Sequence, residues 1–253
     1  MGKIYFVSDL HLGVPAATDS ATRERDFVRW LDQIAPQAER IFIIGDLFDF
    51  YYEYTSVVPK GYVRILGALA YWRDKGVSIE FFTGNHDMWI FSYFEQELGI
   101  PTHRKPIELL LQGKKCLIGH GDGLGPGDRG YKVLKAIFAS RTCQWLFERI
   151  HPNLGIGIAN YWSRKSRYAN PDEQSFHRPT EWLVQYAEAY KERSSIDFLI
   201  FGHRHLPIDC TLSDGKTRYI NTGEWLHSRS YAIMEEGHIS IQFFENESGQ
   251  IFG

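Results

Sequence analysis

Five short apolar runs each stop abruptly in a cluster of Gly, Asp, Asn or His, and this constrains the fold more than any other feature of the chain. Lys3–Val7 ends in Ser8-Asp9, and Arg40–Ile44 ends in Gly45-Asp46. Val77–Phe82 ends in Thr83-Gly84-Asn85-His86-Asp87, Lys115–Ile118 in Gly119-His120-Gly121-Asp122, and Asp197–Phe201 in Gly202-His203-Arg204-His205. Between the first runs lie helical patterns: Phe27, Trp30, Leu31 and Ile34 fall at i, i+3, i+4 and i+7, and Tyr62–Trp72 reads likewise. Strand and helix in alternation predict an α/β domain whose first strands pair in parallel through crossover helices. Such a sheet presents the carboxyl ends of its strands to one crevice, so the polar clusters are expected to meet.

Beyond the third run the rhythm changes. Ile107–Leu111 and Lys115–Ile118 flank Gln112-Gly113-Lys114 as a hairpin would, and Ile208–Leu212, Arg218–Ile220, Tyr231–Met234 and His238–Phe244 read as further hairpins. Residues 123–175 interrupt the pattern as a helical insertion, a lid within a single domain spanning 1–253. A helix is expected from about Tyr131 to Ile150, and a second helical segment near Leu154–Trp162. Pro179–Arg193 then reads as a helix of the body.

Charge is divided along the same boundary. The total is −3, but residues 129–168 carry eight basic side chains against the single acid Glu148, a local +7 that leaves −10 on the rest. A basic block on an acidic body points to an anionic partner. With 43% hydrophobic and 23% charged residues the chain is not of disordered type. No apolar run reaches the roughly 18–20 residues that cross a bilayer, and the start does not read as a signal peptide. Three widely spaced cysteines suggest neither a disulfide framework nor a thiolate zinc site, so a cytoplasmic protein is expected.

The clusters hold metal-binding chemistry. Asp9-x-His11, Asp46, Asn85, His120 and His203-x-His205 combine carboxylate, amide and imidazole donors, the set suited to Mn, Fe or Zn. Residues two apart at an extended strand end point the same way, so Asp9 with His11 and His203 with His205 can each offer two ligands to one place. An isolated Asp-x-His or Gly-Asp is commonly a turn or a helix cap; five such clusters, all at strand ends, are hard to read as separate accidents. Seven ligands exceed one four-coordinate ion and suit two ions about 3.5–4 Å apart sharing a carboxylate, the arrangement of two-metal phosphoester chemistry.

Ser8-Asp9-Leu10-His11, Gly45-Asp46-Leu47-Phe48-Asp49, Gly84-Asn85-His86-Asp87, Gly119-His120-Gly121-Asp122 and Gly202-His203-Arg204-His205 resemble the five signature blocks of the calcineurin-like metallophosphoesterases, in order, over about residues 3–225. The resemblance implies a β-sandwich flanked by helices. It implies one metal on Asp9, His11, Asp46 and His205 and another on Asp46, Asn85, His120 and His203, with Mn2+ foremost and Fe or Zn as alternatives. Within that superfamily the chain is similar to the UDP-2,3-diacylglucosamine pyrophosphohydrolases of lipid A synthesis (the LpxH family). The shared features are Ser-Asp-Leu-His-Leu at 8–12, Gly-Asp-Leu-Phe at 45–48, His-Gly-Asp at 120–122 and the helical insert. One position departs: His86 stands where the best-known members carry Arg, whereas the wider superfamily has His.

That resemblance implies cleavage of a lipid-linked diphosphate to UMP and 2,3-diacylglucosamine 1-phosphate. His86 is then the candidate to steady phosphoryl charge or protonate the leaving oxygen, with Asp87 expected either to hold its tautomer or, as its neighbour in sequence, to cap a helix. Asp49 and Asp122 are expected one layer out from the metals. On the insert, Arg141, Arg149, Arg164, Lys165 and Arg167 are the expected diphosphate grip, with Trp145 on an apolar face for acyl chains. Phe50–Tyr54 adds aromatic lining. The basic amphipathic insert also suits peripheral attachment to the inner membrane surface. Two other readings are an enzyme for a soluble nucleotide or other phosphoester and a non-catalytic interaction module; the complete ligand set weighs against the second. No nucleic-acid partner is expected, since no basic track with stacking aromatics runs outside the insert.

Overall fold

A computed structural model describes residues 2–14, 18–127, 129–169 and 175–253, the side chains of 164–169 excepted. The first half runs β1 (Lys3–Val7), α1 (Ser20–Ile34), β2 (Ala38–Ile44), α2 (Val63–Asp74), β3 (Ser78–Phe82), α3 (Tyr93–Leu98), β4 (Thr102–His103), β5 (Ile107–Leu111) and β6 (Lys114–Ile118). It continues with α4 (Arg129–Ala139), α5 (Arg141–Glu148), α6 (Pro152–Ala169), α7 (Trp182–Lys191), β7 (Phe198–Phe201), β8 (Pro207–Thr211), β9 (Arg218–Thr222), β10 (Ser230–Glu235) and β11 (His238–Phe243).

The strands form two sheets, ordered β11-β10-β1-β2-β3-β4 and β5-β6-β7-β9-β8. Successive strand residues point to opposite faces, and here both faces are covered, which is why β1 and β2 read as continuous apolar runs. Ile4, Phe6, Phe42 and Ile44 face the second sheet's Ile118, Ile200 and Ile220, closing the inter-sheet core. Tyr5, Val7, Ile41 and Ile43 face outward under α1 and α2, where Phe27, Trp30, Leu31 and Ile34 are buried as their spacing requires. Helix α7 covers the outer face of the second sheet through Leu183, Val184 and Ala187. The result is a helix–sheet–sheet–helix sandwich of mixed α/β class.

β1, β2 and β3 pair in parallel, as do β6 and β7, so within each sheet the motif-bearing carboxyl ends share one edge. The parallel pattern does not extend to the whole first sheet. The tail hairpin β10–β11 joins it antiparallel to β1, placing Met234 opposite Ile4. Two tail hairpins that look alike in sequence therefore enter different sheets.

In the insert, the single helix expected over Tyr131–Ile150 is two helices. Ser140 adopts an extended conformation and its hydroxyl accepts from Cys143 N at 3.2 Å, capping α5 and ending α4; serine favours this role because its side chain competes with the helix for local N–H groups. Neither α4 nor α5 contains a fully buried residue. The insert sits on an aromatic seat of Tyr52, Tyr54 and Trp89, into which it sends Phe138 and Phe147. Trp89 Nε1 donates to Phe138 O at 2.8 Å, and the Tyr52 hydroxyl donates to Gln144 O at 2.6 Å. The Phe50–Tyr54 stretch thus carries the insert, and its Tyr52 and Tyr54 also line a cavity beside it.

Candidate metal centre

The loops after the strands are stitched to one another by their main chains. Asp9 N donates to Gly45 O at 3.1 Å, His11 N to Asp46 O at 3.0 Å, and Trp225 N to Asp9 O at 3.0 Å. Asp9, His11, Asp46, His203 and His205 all have positive φ, between 45° and 66°. That left-handed region is unfavourable for residues other than Gly and persists only where surrounding contacts enforce it, commonly at functional sites. Glycine is required where the loops cross: a Cβ on Gly45 would lie 2.6 Å from His120 Nδ1, and one on Gly84 would strike the Asp46 carboxylate. Arg23 clamps the first loop, its guanidinium donating to His11 O at 3.1 Å and Val14 O at 2.6 Å.

Each of the two central carboxylates has one oxygen fixed and one bare. Asp9 Oδ2 accepts from the Ser8 hydroxyl and from His203 N, the latter at 2.9 Å. Asp46 Oδ1 accepts from His86 N at 2.8 Å. Asp9 Oδ1 and Asp46 Oδ2 are buried with no hydrogen-bond partner. A buried anionic oxygen without a partner is costly, and the chemistry that satisfies it here is a cation.

Imidazole nitrogens surround both oxygens. His205 Nε2 lies 3.1 Å from Asp9 Oδ1, and His120 Nε2 lies 3.2 Å from Asp46 Oδ2. His11 Nε2 is 3.6 Å from Asp9 Oδ1, 3.8 Å from Asp46 Oδ2 and 3.0 Å from His205 Nε2. Asn85 Oδ1 is 3.2 Å from His120 Nε2. Among the described residues the donor atoms gather as Asp9, His11, His205 and as Asp46, His120, His203, with a third overlapping set of His11, Asp46 and His86. The seven sequence-predicted ligands are therefore one cluster, with Asp46 central to it.

Electrostatics favour a cation. Burial disfavours the charge on Asp9, yet His205 and His11 beside it hold its carboxyl well below the usual range. Asp46 is likewise held low by His120, His86 and His11 against burial. Burial drives His11 down to about 3 and, with His120 nearby, His203 down to about 4, so both offer neutral nitrogens. His120 is buried too, but Asp46 raises it well above the ordinary imidazole value. Its Nδ1 is 2.8 Å from Ile44 O, so Nδ1–H donates there and Nε2 faces the carboxylates. Metal binding displaces the proton from such a nitrogen.

The residues flanking the ligands divide. His86 Nδ1 is 2.7 Å from the main-chain oxygen of Asp49, to which it donates, and its side chain is 21% exposed. Asp87 does not hold that tautomer. It is fully buried and accepts from Gly84 N at 2.7 Å and Leu47 N at 2.8 Å, bracing two ligand loops; burial and the adjacent Asp46 push it up to about 7. Asp49 Oδ1 lies 3.5 Å from His11 Nδ1, and Asp122, two residues beyond His120, is buried, with His120 holding its carboxyl below the usual value.

Of the expected substrate grip, the side chains of Arg141, Trp145 and Arg149 are described. Arg149 lies over the Trp145 ring at 4.8 Å and pairs with Glu148. Arg141 and Trp145 line a cavity of about 680 Å³ with Tyr52, Gln144 and Glu148, and no candidate ligand borders it. The side chains of Arg164, Lys165 and Arg167 lie outside the described residues. What the sequence did not single out is Arg23, Ser163 and the pair Tyr131 and Lys135. Arg23 had a visible signal, since it falls four residues before Phe27 on the apolar stripe of α1. Ser163 had none.

Residues 2–207 match the family model described as calcineurin-like phosphoesterase. The chain is 36% identical over 258 residues to a UDP-2,3-diacylglucosamine hydrolase of Porphyromonas gingivalis, covering 96% of this chain and 98% of that protein. It is 31% identical over 240 residues to a protein of the same description from Aeromonas salmonicida, covering 94% and 91%. A third, from Photorhabdus laumondii, is 32% identical over 248 residues, covering 94% and 98%.

Proposed function

The chain belongs to the calcineurin-like phosphoesterase family, and from that premise we propose that it hydrolyses the diphosphate of UDP-2,3-diacylglucosamine to UMP and 2,3-diacylglucosamine 1-phosphate, a step of lipid A synthesis. It is a metal-dependent phosphoester hydrolase. The observation that carries the reading is the pair of buried carboxylate oxygens, Asp9 Oδ1 and Asp46 Oδ2, left without hydrogen bonds among converging imidazoles. The lipid-linked substrate is supported by likeness to hydrolases of that description over nearly the whole chain.

Asp9, His11, Asp46 and His205 would hold one divalent cation, and Asp46, Asn85, His120 and His203 the other. Mn2+ suits this donor set, as do Fe and Zn. When bound, such a pair supplies a water acidic enough to attack phosphorus near neutral pH and offsets phosphoryl charge. The chain's own residues do the rest. Asp87 fixes the loops that carry Asp46 and Asn85. His86, oriented by the Asp49 carbonyl, holds or delivers a proton at the leaving oxygen.

The insert serves as a lid for the acyl chains. Val133, Leu134, Ile137, Leu146, Leu154 and Trp162 are all exposed on it, an apolar surface that the body does not cover. Among the described residues no helix is long and apolar enough to cross a membrane. With its basic side chains, the insert suits peripheral contact with an anionic inner-membrane surface from the cytoplasm. Purified protein supplied with Mn2+ is tested on UDP-2,3-diacylglucosamine beside a soluble nucleotide diester. Release of UMP from the lipid substrate is expected; turnover of the soluble compound alone would defeat the assignment.

A further inference from the structure

The geometry points to Ser163 and Lys135 as positioning residues that key the insert to the metal centre, so that seating of the insert and occupancy of the centre are linked. Each acts through a carboxylate of the body. Ser163, on α6, donates to Asp49, its hydroxyl 3.0 and 2.9 Å from the two carboxylate oxygens across 114 residues of chain. Asp49 in turn meets both imidazoles on that side. Its Oδ1 is 3.5 Å from His11 Nδ1 and 3.5 Å from His86 Nδ1, and its main-chain oxygen accepts from His86. A carboxylate on the far nitrogen of a ligating histidine fixes the ring's orientation and raises its basicity.

The opposite side repeats the device on α4. Lys135 Nζ is 2.6 Å from Asp122 Oδ2 and 2.9 Å from Asp122 O, and the Tyr131 hydroxyl donates to the same Oδ2 at 2.9 Å. Asp122 is only 7% exposed and lies two residues beyond His120, while the Tyr131 ring packs on His203 at 6.3 Å between centroids. The two latches thus reach the centre from both its ligand groups. A hydrogen bond that forms only when the ring beneath it is correctly turned couples the two events reciprocally.

The inference rests on the two-cation reading of the site, and its test uses Mn2+ alone as the probe. Calorimetric titration and amide hydrogen exchange are measured on the full chain, with circular dichroism confirming that each variant folds. In wild type, Mn2+ is expected to slow exchange along both α4 and α6. Ser163→Ala is expected to weaken Mn2+ binding about three- to ten-fold, the worth of one hydrogen bond, and to abolish the effect on α6 while α4 retains it. Lys135→Met gives the reverse pattern, and Ser163→Thr, which keeps the hydroxyl, restores the wild-type one. Wild-type Mn2+ affinity with undiminished protection of α6 in Ser163→Ala overturns the linkage. Failure of Mn2+ to bind wild type overturns the two-cation reading with it, whereas binding without protection of either helix overturns the linkage alone.

Discussion

The Nε2 atoms of His11 and His205 face each other at 3.0 Å, although 194 residues separate them in the chain. Burial keeps His11 neutral at ordinary pH, and Asp9 Oδ1 lies 3.1 Å from His205 with no hydrogen bond of its own. Two ring nitrogens and a bare carboxylate oxygen converging in this way form a cation site assembled by the fold. Supplying Mn2+ is therefore expected to raise the melting temperature of wild type. Asp46→Asn should lose most of that rise, because the exchanged amide carries no charge to meet the cation. Thermal denaturation with and without Mn2+ checks this.

His86 and Asp87 are adjacent in sequence but opposite in role. Asp87→Ala leaves two buried N–H groups, of Gly84 and Leu47, without an acceptor, and should cost about 2–4 kcal/mol of stability. His86→Ala, at a partly exposed side chain, should change stability by less than about 1 kcal/mol. It should lower kcat by about 10²–10⁴-fold through the lost acid. Urea denaturation beside steady-state kinetics separates the two.

Much of this was legible in sequence, and the failures have physical causes. Strand-end clusters can be read because a ligand must sit where the chain leaves the sheet; Asp9, His11, Asp46, His120, His203 and His205 gather in overlapping groups, with Asn85 Oδ1 beside His120 Nε2. The break at Ser140 is not legible in the apolar pattern, which runs through it; only the hydroxyl's bond to Cys143 N ends the helix. Adjacency in sequence leaves Asp87 between His86 and a backbone-capping role; its partners are the N–H groups of Gly84 and of Leu47, the latter 40 residues away. Which tail hairpin enters which sheet depends on contacts across the whole chain, which local periodicity does not encode.

The insert's apolar surface gives a different kind of prediction. Ile137 and Leu146 are 51% and 56% exposed, so Ile137→Ser and Leu146→Ser should each leave stability within about 0.5 kcal/mol of wild type. If acyl chains rest there, kcat/KM for the lipid-linked substrate should fall about ten-fold or more, a few buried methylenes being worth that much. Unchanged kcat/KM in both variants would place the acyl chains elsewhere.

Acid stability depends in part on a turn far from the centre. Asp214 accepts from Lys216 N and Thr217 N at 3.0 and 2.9 Å, and these bonds hold its carboxyl down at about 2, against an ordinary 3.8. A depressed carboxyl stabilises the fold fully above the unfolded value, and that contribution is lost as pH falls through the folded one. Asp214→Asn should therefore destabilise the protein at pH 5, by an amount that shrinks as pH falls through about 2 and is lost below it. Denaturation midpoints across that range check the sign.

Five strand ends build one centre whose donor set suits two cations, which would share Asp46. Metal analysis of protein equilibrated with Mn2+ and freed of excess tests it most directly. Two Mn2+ per chain are expected in wild type, with Asp46→Ala retaining less than one. A single Mn2+ in wild type, or two in Asp46→Ala, would contradict it.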